Sequence, residues 1–306
     1  MRLPETVRDI LNKLETAGFQ AYAVGGCVRD SILGKEPDDW DLTTDARPEE
    51  VKALFPRTVD TGLQHGTVTV LLGGEGYEVT TYRIDGSYSD GRHPDSICFT
   101  PSLAEDLKRR DFTINAMAVS ARGELVDLFG GQEDLARGCI RCVGDAYARF
   151  REDALRMLRA VRFAAQLNFE IEAETFKALT ELSPNLARVS KERILAELTK
   201  LLLSNHPEKL ELLYVAGLAP EMAAHFPGVH LDSRAARLPR CKALRFAAAG
   251  ATPAKLANRS ETKQTDKAGR TEMLDALERR CLAALLRGES VRAELRAAHC
   301  LTSLFA

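Results

Sequence analysis

Long apolar stretches are absent from this sequence. Its 306 residues are 45% hydrophobic, but no segment approaches the ~20 consecutive apolar residues of a membrane-spanning helix. The first residues, MRLPETVRDILNKLETAGF, form an amphipathic helical pattern with acidic side chains and lack the apolar centre of a signal peptide. We therefore expect a cytoplasmic protein with no membrane partner.

Cysteines are few and odd in number. The seven cysteines are scattered along the chain, which fits a reducing compartment better than a disulfide framework. Cys139 and Cys142 have the C-x-x-C spacing of some zinc and redox sites, but no second pair lies nearby at zinc-like spacing. The surrounding RGCIRCVGD alternates like a short strand or turn, so we favour a structural role for both cysteines.

A strong net charge is also missing. The formal net charge is −2, which does not by itself indicate a nucleic-acid-binding protein. Residues 1–185 hold 22 Lys and Arg against 31 Asp and Glu, whereas residues 186–306 hold 20 against 13. An acidic part joined to a basic part suits a metal-dependent site with a polyanion-binding segment, although two ordinarily solvated surfaces would have the same composition.

Strand and helix patterns alternate up to about residue 145. Residues 66–83 are rich in Val, Thr and Tyr around a glycine turn and predict a hairpin. Residues 103–120 predict a single helix. From about residue 146 the strand signals largely stop, and helices are predicted at 146–169, 172–182, 190–204, 207–217 and 271–297.

These patterns predict an α+β fold in three parts. Residues 1–145 would form a head with a small mixed β-sheet. Residues 146–190 would form a helical neck, and residues 191–306 a helical body.

The segment DDWD, residues 38–41, places three carboxylates beside the only tryptophan of the chain. In a strand, residues i and i+2 point to the same face, so Asp39 and Asp41 share one face and Asp38 and Trp40 the other. We expect Trp40 to be buried against the core, which leaves Asp39 and Asp41 on the open face. Like charges this close raise each other's pKa unless a cation lies between them. Mg²⁺, which takes oxygen ligands and is often shared with substrate phosphates, is the expected cation.

A glycine pair precedes these carboxylates. Gly25 and Gly26 follow an apolar strand and precede a predicted helix, where the backbone can approach a phosphate. Arg29 lies on the first turn of that helix and has the donors to bind a phosphate. A Gly-Gly pair alone is usually a turn. Followed by an arginine and an Asp-x-Asp strand, it suits a nucleoside triphosphate held beside two metal ions.

Three long blocks of the sequence resemble one family. The blocks GGCVRDSILGKEPDDWDLTTDA (25–46), EDLKRRDFTINAMA (105–118) and REDALRMLRAVRFAAQLNF (151–169) are similar, in order, to those of the class II tRNA nucleotidyltransferase and poly(A) polymerase family. The resemblance covers about residues 5–230. It implies a polymerase-β-like nucleotidyltransferase head with an all-α neck and body, and nucleotide addition to RNA 3′ ends without a nucleic-acid template.

The resemblance implies roles for the acidic residues of the head. Asp39 and Asp41 would be catalytic Mg²⁺ ligands. Glu78 is the candidate for a third carboxylate, as a base or a ligand, unless it is simply a solvent-facing strand residue. The resemblance also implies a set of nucleotide-binding residues: Gly25, Gly26, Arg29, Arg110, Asp111, Asp153, Arg156, Arg159 and Arg162.

Within this set, the second block would hold the sugar and phosphates. Arg110 and Asp111 would contact the phosphate and the ribose, with Asp111 accepting a hydrogen bond from the 2′-hydroxyl. Lys108 is left open, because a solvated basic turn would have the same sequence.

The third block would read the base. Asp153 and Arg156 lie three residues apart, on one face of the predicted helix, and would pair with the Watson–Crick edge of the incoming base. Arg159 and Arg162 would continue this face towards the triphosphate or the RNA backbone. Intrahelical ion pairs, such as Asp153 with Arg156, are the structural alternative.

The expected activity is the addition of C and A to the 3′ end of tRNA from CTP and ATP, with Mg²⁺ as cofactor and release of pyrophosphate. The tRNA would be bound at its 3′ end and acceptor arm. The loop IDGSYSDGRHPD (84–95) resembles the flexible loop of CCA-adding members, which argues against CC-only addition.

Other activities stay open at this point. An A-only tRNA nucleotidyltransferase and a poly(A) polymerase both fit the blocks. A non-catalytic RNA-binding protein on the same fold fits less well, because both paired aspartates are present. A transferase acting on a small molecule is disfavoured by the second and third blocks. Residues 232–306 match the family poorly, so we expect a divergent or shortened end to the body.

Overall fold

The computed structural model describes residues 1–86 and 96–225. The chain forms two compact units. The first consists of Met1–Ala160 and Phe169–Arg188, and the second of Val161–Asn168 and Val189–Ala306. The helix predicted at 271–297 and most of the loop predicted at 84–95 lie outside the described residues. The domain boundaries near residues 145 and 190 stay predictions.

Strands occur mainly in the first half of the chain, as the alternating pattern predicted. Those of the described residues are β1 (Ala21–Val24), β2 (Leu42–Thr44), β3 (Thr58–Gly62), β4 (Thr67–Leu72), β5 (Glu75–Thr81), β6 (Arg83–Asp85), β7 (Ile97–Phe99), β8 (Met117–Val119), β9 (Leu125–Asp127), β10 (Cys139–Ile140) and β11 (Glu170–Ile171). Seven of them form one mixed sheet in the order β3-β4-β5-β2-β1-β8-β9. Within it, β2 and β5 are parallel and the other neighbours are antiparallel. The α+β prediction for the head is confirmed.

Helices cover the sheet and continue after it. Those of the described residues are α1 (Glu5–Thr16), α2 (Gly26–Ile32), α3 (Pro48–Leu54), α4 (Leu103–Lys108), α5 (Gly131–Arg137), α6 (Ala146–Glu152), α7 (Leu155–Leu167), α8 (Ala173–Leu182), α9 (Lys191–Leu202), α10 (Glu211–Val215) and α11 (Leu218–His225). Within residues 1–86 and 96–225, none of these helices has the length and apolarity needed to span a membrane.

The predicted hairpin at 66–83 is confirmed as β4 and β5. Their two-residue connection is Gly73-Gly74, and both glycines have positive φ, 64° and 88°. A two-residue turn with positive φ at both positions matches the twist of antiparallel strands, and glycine adopts it without steric cost. This turn sets the register that places Glu78 opposite Thr69.

Strand β2 lies in the middle of the sheet, between β1 and β5. It begins at Leu42, and the backbone pairing extends one residue further back, because the Val24 amide donates to the Asp41 carbonyl at 2.9 Å. The expectation that Trp40 is a core residue is wrong. Trp40 is half-buried and lines a surface pocket with Ile32 and Leu125. It precedes β2, so strand pairing does not hold its side chain against the core of the sheet.

The single helix predicted at 103–120 is also wrong. Helix α4 ends at Lys108, and Met117–Val119 forms strand β8, which pairs with β1. Tertiary packing overrides the helical pattern here: Leu107 from α4 and Ala118 from β8 pack together against Val24 of β1 in one buried cluster. The RRDF segment, residues 109–112, therefore lies outside α4, and its side chains can point into the head.

The helix predicted at 146–169 is interrupted. Helix α6 ends at Glu152, Asp153 has extended backbone angles (φ −144°, ψ 103°), and α7 begins at Leu155. The Asp153 carboxylate accepts a hydrogen bond from the Leu155 amide at 3.0 Å, so it caps α7. Aspartate is a favoured helix cap because its side chain satisfies a backbone donor of the first turn. Asp153 and Arg156 therefore do not share one helix face, and that expectation is corrected.

Candidate active site

Asp41, just before β2, lies near the carboxylates of Asp39 and Glu78. Asp41 lies one residue before the pairing of Leu42 with Val79, so it is the neighbour of Glu78 on the parallel strand β5. The side chains of Asp39, Asp41 and Glu78 are all exposed. The surrounding protein nevertheless desolvates the Asp41 carboxylate, and this, with the nearby Asp39 and then Glu78 charges, raises its pKa, while Arg110 opposes the rise.

This arrangement fits a divalent cation. Asp39 and Asp41 offer hard oxygen ligands on an open face. Desolvation is the main cause of the raised pKa of Asp41 and the Asp39 charge adds to it, and a bound cation would oppose both effects. In the described part of the chain, no group of three or more His, Cys, Asp or Glu side chains meets at one metal position. A pair suffices for a metal ion that also binds substrate phosphates. Glu78 contributes charge to this site, and its role as base or third ligand stays a prediction.

Two guanidinium groups flank the glycine pair. Gly25 has φ +85°, and a Cβ at this position would lie 3.1 Å from Arg110 Nη1. A Cβ at Gly26, the first residue of α2, would lie 3.6 Å from Arg29 Nη2. Glycine is required at position 25 because a side chain would be strained by the positive φ and crowded by Arg110. The glycine pair follows Val24, whose amide bonds to the Asp41 carbonyl, and the Arg110 charge acts on the Asp41 carboxylate.

The Arg29 side chain is buried and held in place by two partners. Its Nε and Nη2 donate to the carboxylate of Asp30 at 2.9 and 2.7 Å, and its Nη1 donates to Asn115 Oδ1 at 2.7 Å. The sequence indicated Arg29 but not these partners. Their arrangement fixes the guanidinium against Gly26 rather than leaving it as a mobile surface cation.

Asp106 holds the arginines that follow it. Its carboxylate is fully buried and accepts from Arg109 Nε at 2.9 Å and from Arg110 Nη2 at 3.3 Å. Burial by itself would raise the pKa of Asp106, but the Arg109 and Arg110 charges outweigh this and lower it. Sequence reasoning missed Asp106, although its spacing of three and four residues from the two arginines was a usable signal.

Asp111 has all the acceptor positions of its carboxylate in use. Oδ1 accepts from the Phe112 amide at 2.8 Å and from Asn115 Nδ2 at 3.1 Å. Oδ2 accepts from Arg159 Nε at 2.8 Å and from Arg159 Nη2 at 2.5 Å. A carboxylate offers about four acceptor sites, so a ribose hydroxyl has to displace one of these donors. Asp111 is buried, which opposes ionisation, yet the Arg159 charge and these hydrogen bonds hold its pKa well below the usual range.

Arg156 forms an ion pair with Glu152. Its Nη1 donates to Glu152 Oε2 at 2.6 Å and its Nη2 donates to the Arg109 carbonyl at 3.0 Å. The ion-pair alternative considered from the sequence is thus represented by the Glu152–Arg156 pair. The second of these contacts holds Arg156 against the RRDF segment, close to Asp111, whose pKa it helps to lower.

Arg162 lies in the second unit and is buried there. Its Nε forms an ion pair with Glu197 in α9, its Nη1 donates to Gln166 at 2.7 Å, and its guanidinium carbon lies 3.8 Å from the centre of the Phe163 ring. These contacts give Arg162 a structural role that requires neither RNA nor nucleotide. The nucleotide-binding role of Arg162 stays a prediction, which the burial of its side chain weakens.

The C-x-x-C pair has no partner ligands in the described residues. Cys139 and Cys142 are free thiols. Burial raises the pKa of Cys142 to about 12, and burial with nearby acidic groups also raises that of Cys139. Neither thiol is activated towards thiolate chemistry, in agreement with the structural role favoured from the sequence.

The chain is similar to known protein families and to solved structures. A model described as the poly A polymerase head domain matches residues 21–141, and one described as the probable RNA and SrmB-binding site of polymerase A matches residues 168–230. The crystal structure of the Bacillus stearothermophilus CCA-adding enzyme in complex with CTP is 36% identical, with a TM-score of 0.75 over 94% of this chain and 71% of that chain. The chain belongs to the class II tRNA nucleotidyltransferase and poly(A) polymerase family.

Other members of the family are also similar. The CCA-adding enzyme of Leuconostoc mesenteroides subsp. mesenteroides is 55% identical over 235 residues, which are 76% of this chain and 58% of that protein. The Thermotoga maritima CCA-adding enzyme complexed with tRNA has a TM-score of 0.60 at 28% identity, over 75% of this chain and 53% of that chain. The present chain thus spans little more than half the length of these two relatives.

Proposed function

We propose that this chain is a nucleotidyltransferase that adds C and A to the 3′ end of tRNA, from CTP and ATP, with Mg²⁺ as the divalent cation. The observation that carries the proposal is the placement of Asp39 and Asp41 beside a glycine pair that Arg29 and Arg110 flank. The acidic side chains can bind metal ions, and the nearby positive charges can bind the substrate phosphates that coordinate the same metal ions. The free thiols of the described residues are compatible with a reducing, cytoplasmic setting.

In this proposal, the tRNA 3′-hydroxyl attacks the α-phosphate of the nucleotide. A bond forms between the 3′ oxygen and the α-phosphorus, and the bond to the β-phosphate oxygen breaks, releasing pyrophosphate. Bound Mg²⁺ would lower the pKa of the hydroxyl and neutralise charge on the leaving group. The chain's own residues supply positioning: Asp39 and Asp41 set the reacting centre, while Arg29 and Arg110 bind and orient the phosphates.

The base and ribose are proposed to lie towards the RRDF segment and the start of α7. Asp153 and Arg156 would offer an acceptor and donors to the base edge. This requires them to exchange the contacts with the Leu155 amide and Glu152 that they make in the described structure. Asp111 and Arg159, already joined, would lie on the ribose side. Protein side chains would thus select the nucleotide in place of a template.

The experiment that tests this function uses the full chain, Mg²⁺ and tRNAs that end before CCA, at C and at CC. CTP and ATP are supplied separately and together, and the 3′ ends are sequenced. CCA addition requires C incorporation on the first two substrates and a single A on the third. Extension only of tRNA ending at CC identifies an A-only enzyme. Runs of A identify a poly(A) polymerase, an alternative that the family description keeps open. No extension of any substrate overturns the proposal.

A further inference from the structure

Asn115 joins two parts of the site that are far apart in the sequence. Its Oδ1 accepts a hydrogen bond from Arg29 Nη1 at 2.7 Å, across 86 positions of sequence. Its Nδ2 donates to Asp111 Oδ1 at 3.1 Å. Through Asp111 the connection continues to Arg159 in α7. The buried side-chain amide of Asn115 therefore links Arg29, next to the glycine pair, to the Asp111–Arg159 pair and so to α7.

The chemistry of these neighbours determines how Asn115 is oriented. A guanidinium can only donate hydrogen bonds, and an ionised carboxylate can only accept them. A residue between Arg29 and Asp111 must therefore accept at one end and donate at the other, as the asparagine amide does. An aspartate at position 115 would still accept from Arg29 but would set a second carboxylate against Asp111. A leucine of similar size would leave both buried partners without this hydrogen bond.

The backbone of Asn115 is tied to the same region. Its amide donates to the Phe112 carbonyl at 2.9 Å, within the one-turn helix Thr113–Asn115. Its carbonyl oxygen lies 3.9 Å from the position that a Gly25 Cβ would take. The side chain is thus anchored at the glycine pair and is not a flexible group that happens to reach Arg29.

We propose that Asn115 is a positioning residue, which fixes Arg29 relative to the Asp111–Arg159 pair and so aligns the phosphate side and the sugar side of the nucleotide site. This inference rests on the proposed function, in which Arg29 faces the phosphates and the Asp111–Arg159 pair faces the ribose. Asn115 itself contacts neither substrate in this scheme. Its effect passes through the two charged groups that it connects.

Two substitutions separate the two ends of the connection. Asn115→Leu removes both hydrogen bonds, so we expect it to weaken the binding of pyrophosphate and of CTP by about tenfold, the scale of one lost hydrogen bond to a charged group. Asn115→Asp keeps the acceptor for Arg29, so pyrophosphate binding should be largely retained. Because it repels Asp111, the preference for CTP over dCTP should fall. The exposed Asn12→Leu is the matched control and should change neither quantity.

The experiment titrates pyrophosphate, CTP and dCTP into the full chain with Mg²⁺ and without tRNA, after thermal melting has verified that each variant is folded. Extension assays then give KM for CTP and for tRNA. A positioning role raises KM for CTP and leaves KM for tRNA unchanged, whereas a smaller folded fraction lowers only the apparent kcat. Wild-type CTP affinity in both Asn115 variants would overturn the inference and leave the proposed function intact. A wild-type chain that binds CTP but never extends tRNA would overturn the proposed function instead, and one that binds no CTP would overturn both.

Discussion

Arg159 and Asp111 form a two-point ion pair, in which Nε and Nη2 of the guanidinium both donate to Oδ2 of the carboxylate, at 2.8 and 2.5 Å. The two residues are 48 positions apart in the sequence. Their pairing ties the start of α7 to the RRDF segment, the two parts of the family blocks that the proposal assigns to the sugar and the base.

The first prediction concerns acid stability. The pKa of Asp111 is lowered in the folded chain, so its ionised form contributes stability that is present above the unfolded-state pKa of about 3.9 and is lost as pH falls towards the folded-state pKa. We expect the free energy of unfolding of wild type to exceed that of Asp111→Asn by a constant amount between neutral pH and about pH 5, and this difference to shrink below about pH 4.

Urea titrations followed by the fluorescence of Trp40, the only tryptophan of the sequence, measure this difference in the free energy of unfolding. The exposed Asp9→Asn should show no such convergence, and a pH-independent gap for Asp111→Asn would contradict the prediction.

The second prediction concerns the carboxylates beside the glycine pair. Asp39→Ala or Asp41→Ala should abolish nucleotide addition, with a loss on the order of a thousandfold, because in the proposed function each supplies a ligand to the cation that activates the reaction. Asp38→Ala is the matched control and should retain most activity. Initial rates of tRNA extension at saturating Mg²⁺ provide the measurement. Comparable losses in all three variants would show that Asp38 belongs to the site as well.

The third prediction concerns the choice of nucleotide. Arg156→Ala should reduce the preference for CTP and ATP over UTP by about tenfold, the scale of one base-edge contact, and should affect turnover less. Glu152→Gln removes the charge that holds Arg156 and should reduce the preference partially. The exposed Arg151→Ala serves as control. Competition assays with mixed nucleotides report the ratios, and an unchanged preference in Arg156→Ala would reject its role in reading the base.

The fourth prediction concerns the buried ion pair of the second unit. Arg162→Met takes a buried positive charge away from the Glu197 carboxylate, so it should destabilise this unit, by up to about 3–5 kcal/mol. The double variant Arg162→Met/Glu197→Leu should be more stable than Arg162→Met alone, because it also removes the buried charge of Glu197. Hydrogen exchange of α9 peptides measures both. If Arg162 also bound RNA, the folded double variant would show a raised KM for tRNA, whereas a purely structural pair predicts an unchanged value.

The fifth prediction compares two buried tyrosines. The Tyr82 hydroxyl is buried and has no hydrogen-bond partner among the residues the structure describes, whereas the Tyr77 hydroxyl bonds to Thr6 and Glu75 at 2.7 and 2.8 Å. Tyr82→Phe should therefore leave the free energy of unfolding unchanged or raise it by about 1 kcal/mol, while Tyr77→Phe should lower it by about 1 kcal/mol. Urea unfolding monitored at Trp40 distinguishes them, and equal destabilisation by both changes would contradict the prediction.

Local patterns in the sequence were enough to predict several parts of the fold. The hairpin of β4 and β5 follows from Val and Thr alternation around Gly73-Gly74, whose positive φ values only a few residue types adopt easily. This prediction needed no long-range contact, because the turn and the alternation are both local.

The failed predictions have different physical causes. The segment 103–120 has helical periodicity, but pairing of β8 with β1 ends the helix at Lys108. Asp153 stands in a helical pattern, yet its carboxylate caps α7 and breaks it. Trp40 was expected in the core. It is half-buried, because the residues before β2 are not held against the core by strand pairing.

The sequence by itself determined the family, because the three blocks depend on residue type and short spacing, and it predicted the acidic pair and the arginines of the site. Only the tertiary structure decided which distant partners those residues have. Asn115 between Arg29 and Asp111 and Glu197 on Arg162 were not identified from the sequence, whereas Glu152 is only four residues from Arg156, a spacing that was a usable signal. A hydrogen bond depends on the positions of two side chains in space, and for residues far apart in the chain the fold alone brings those positions together.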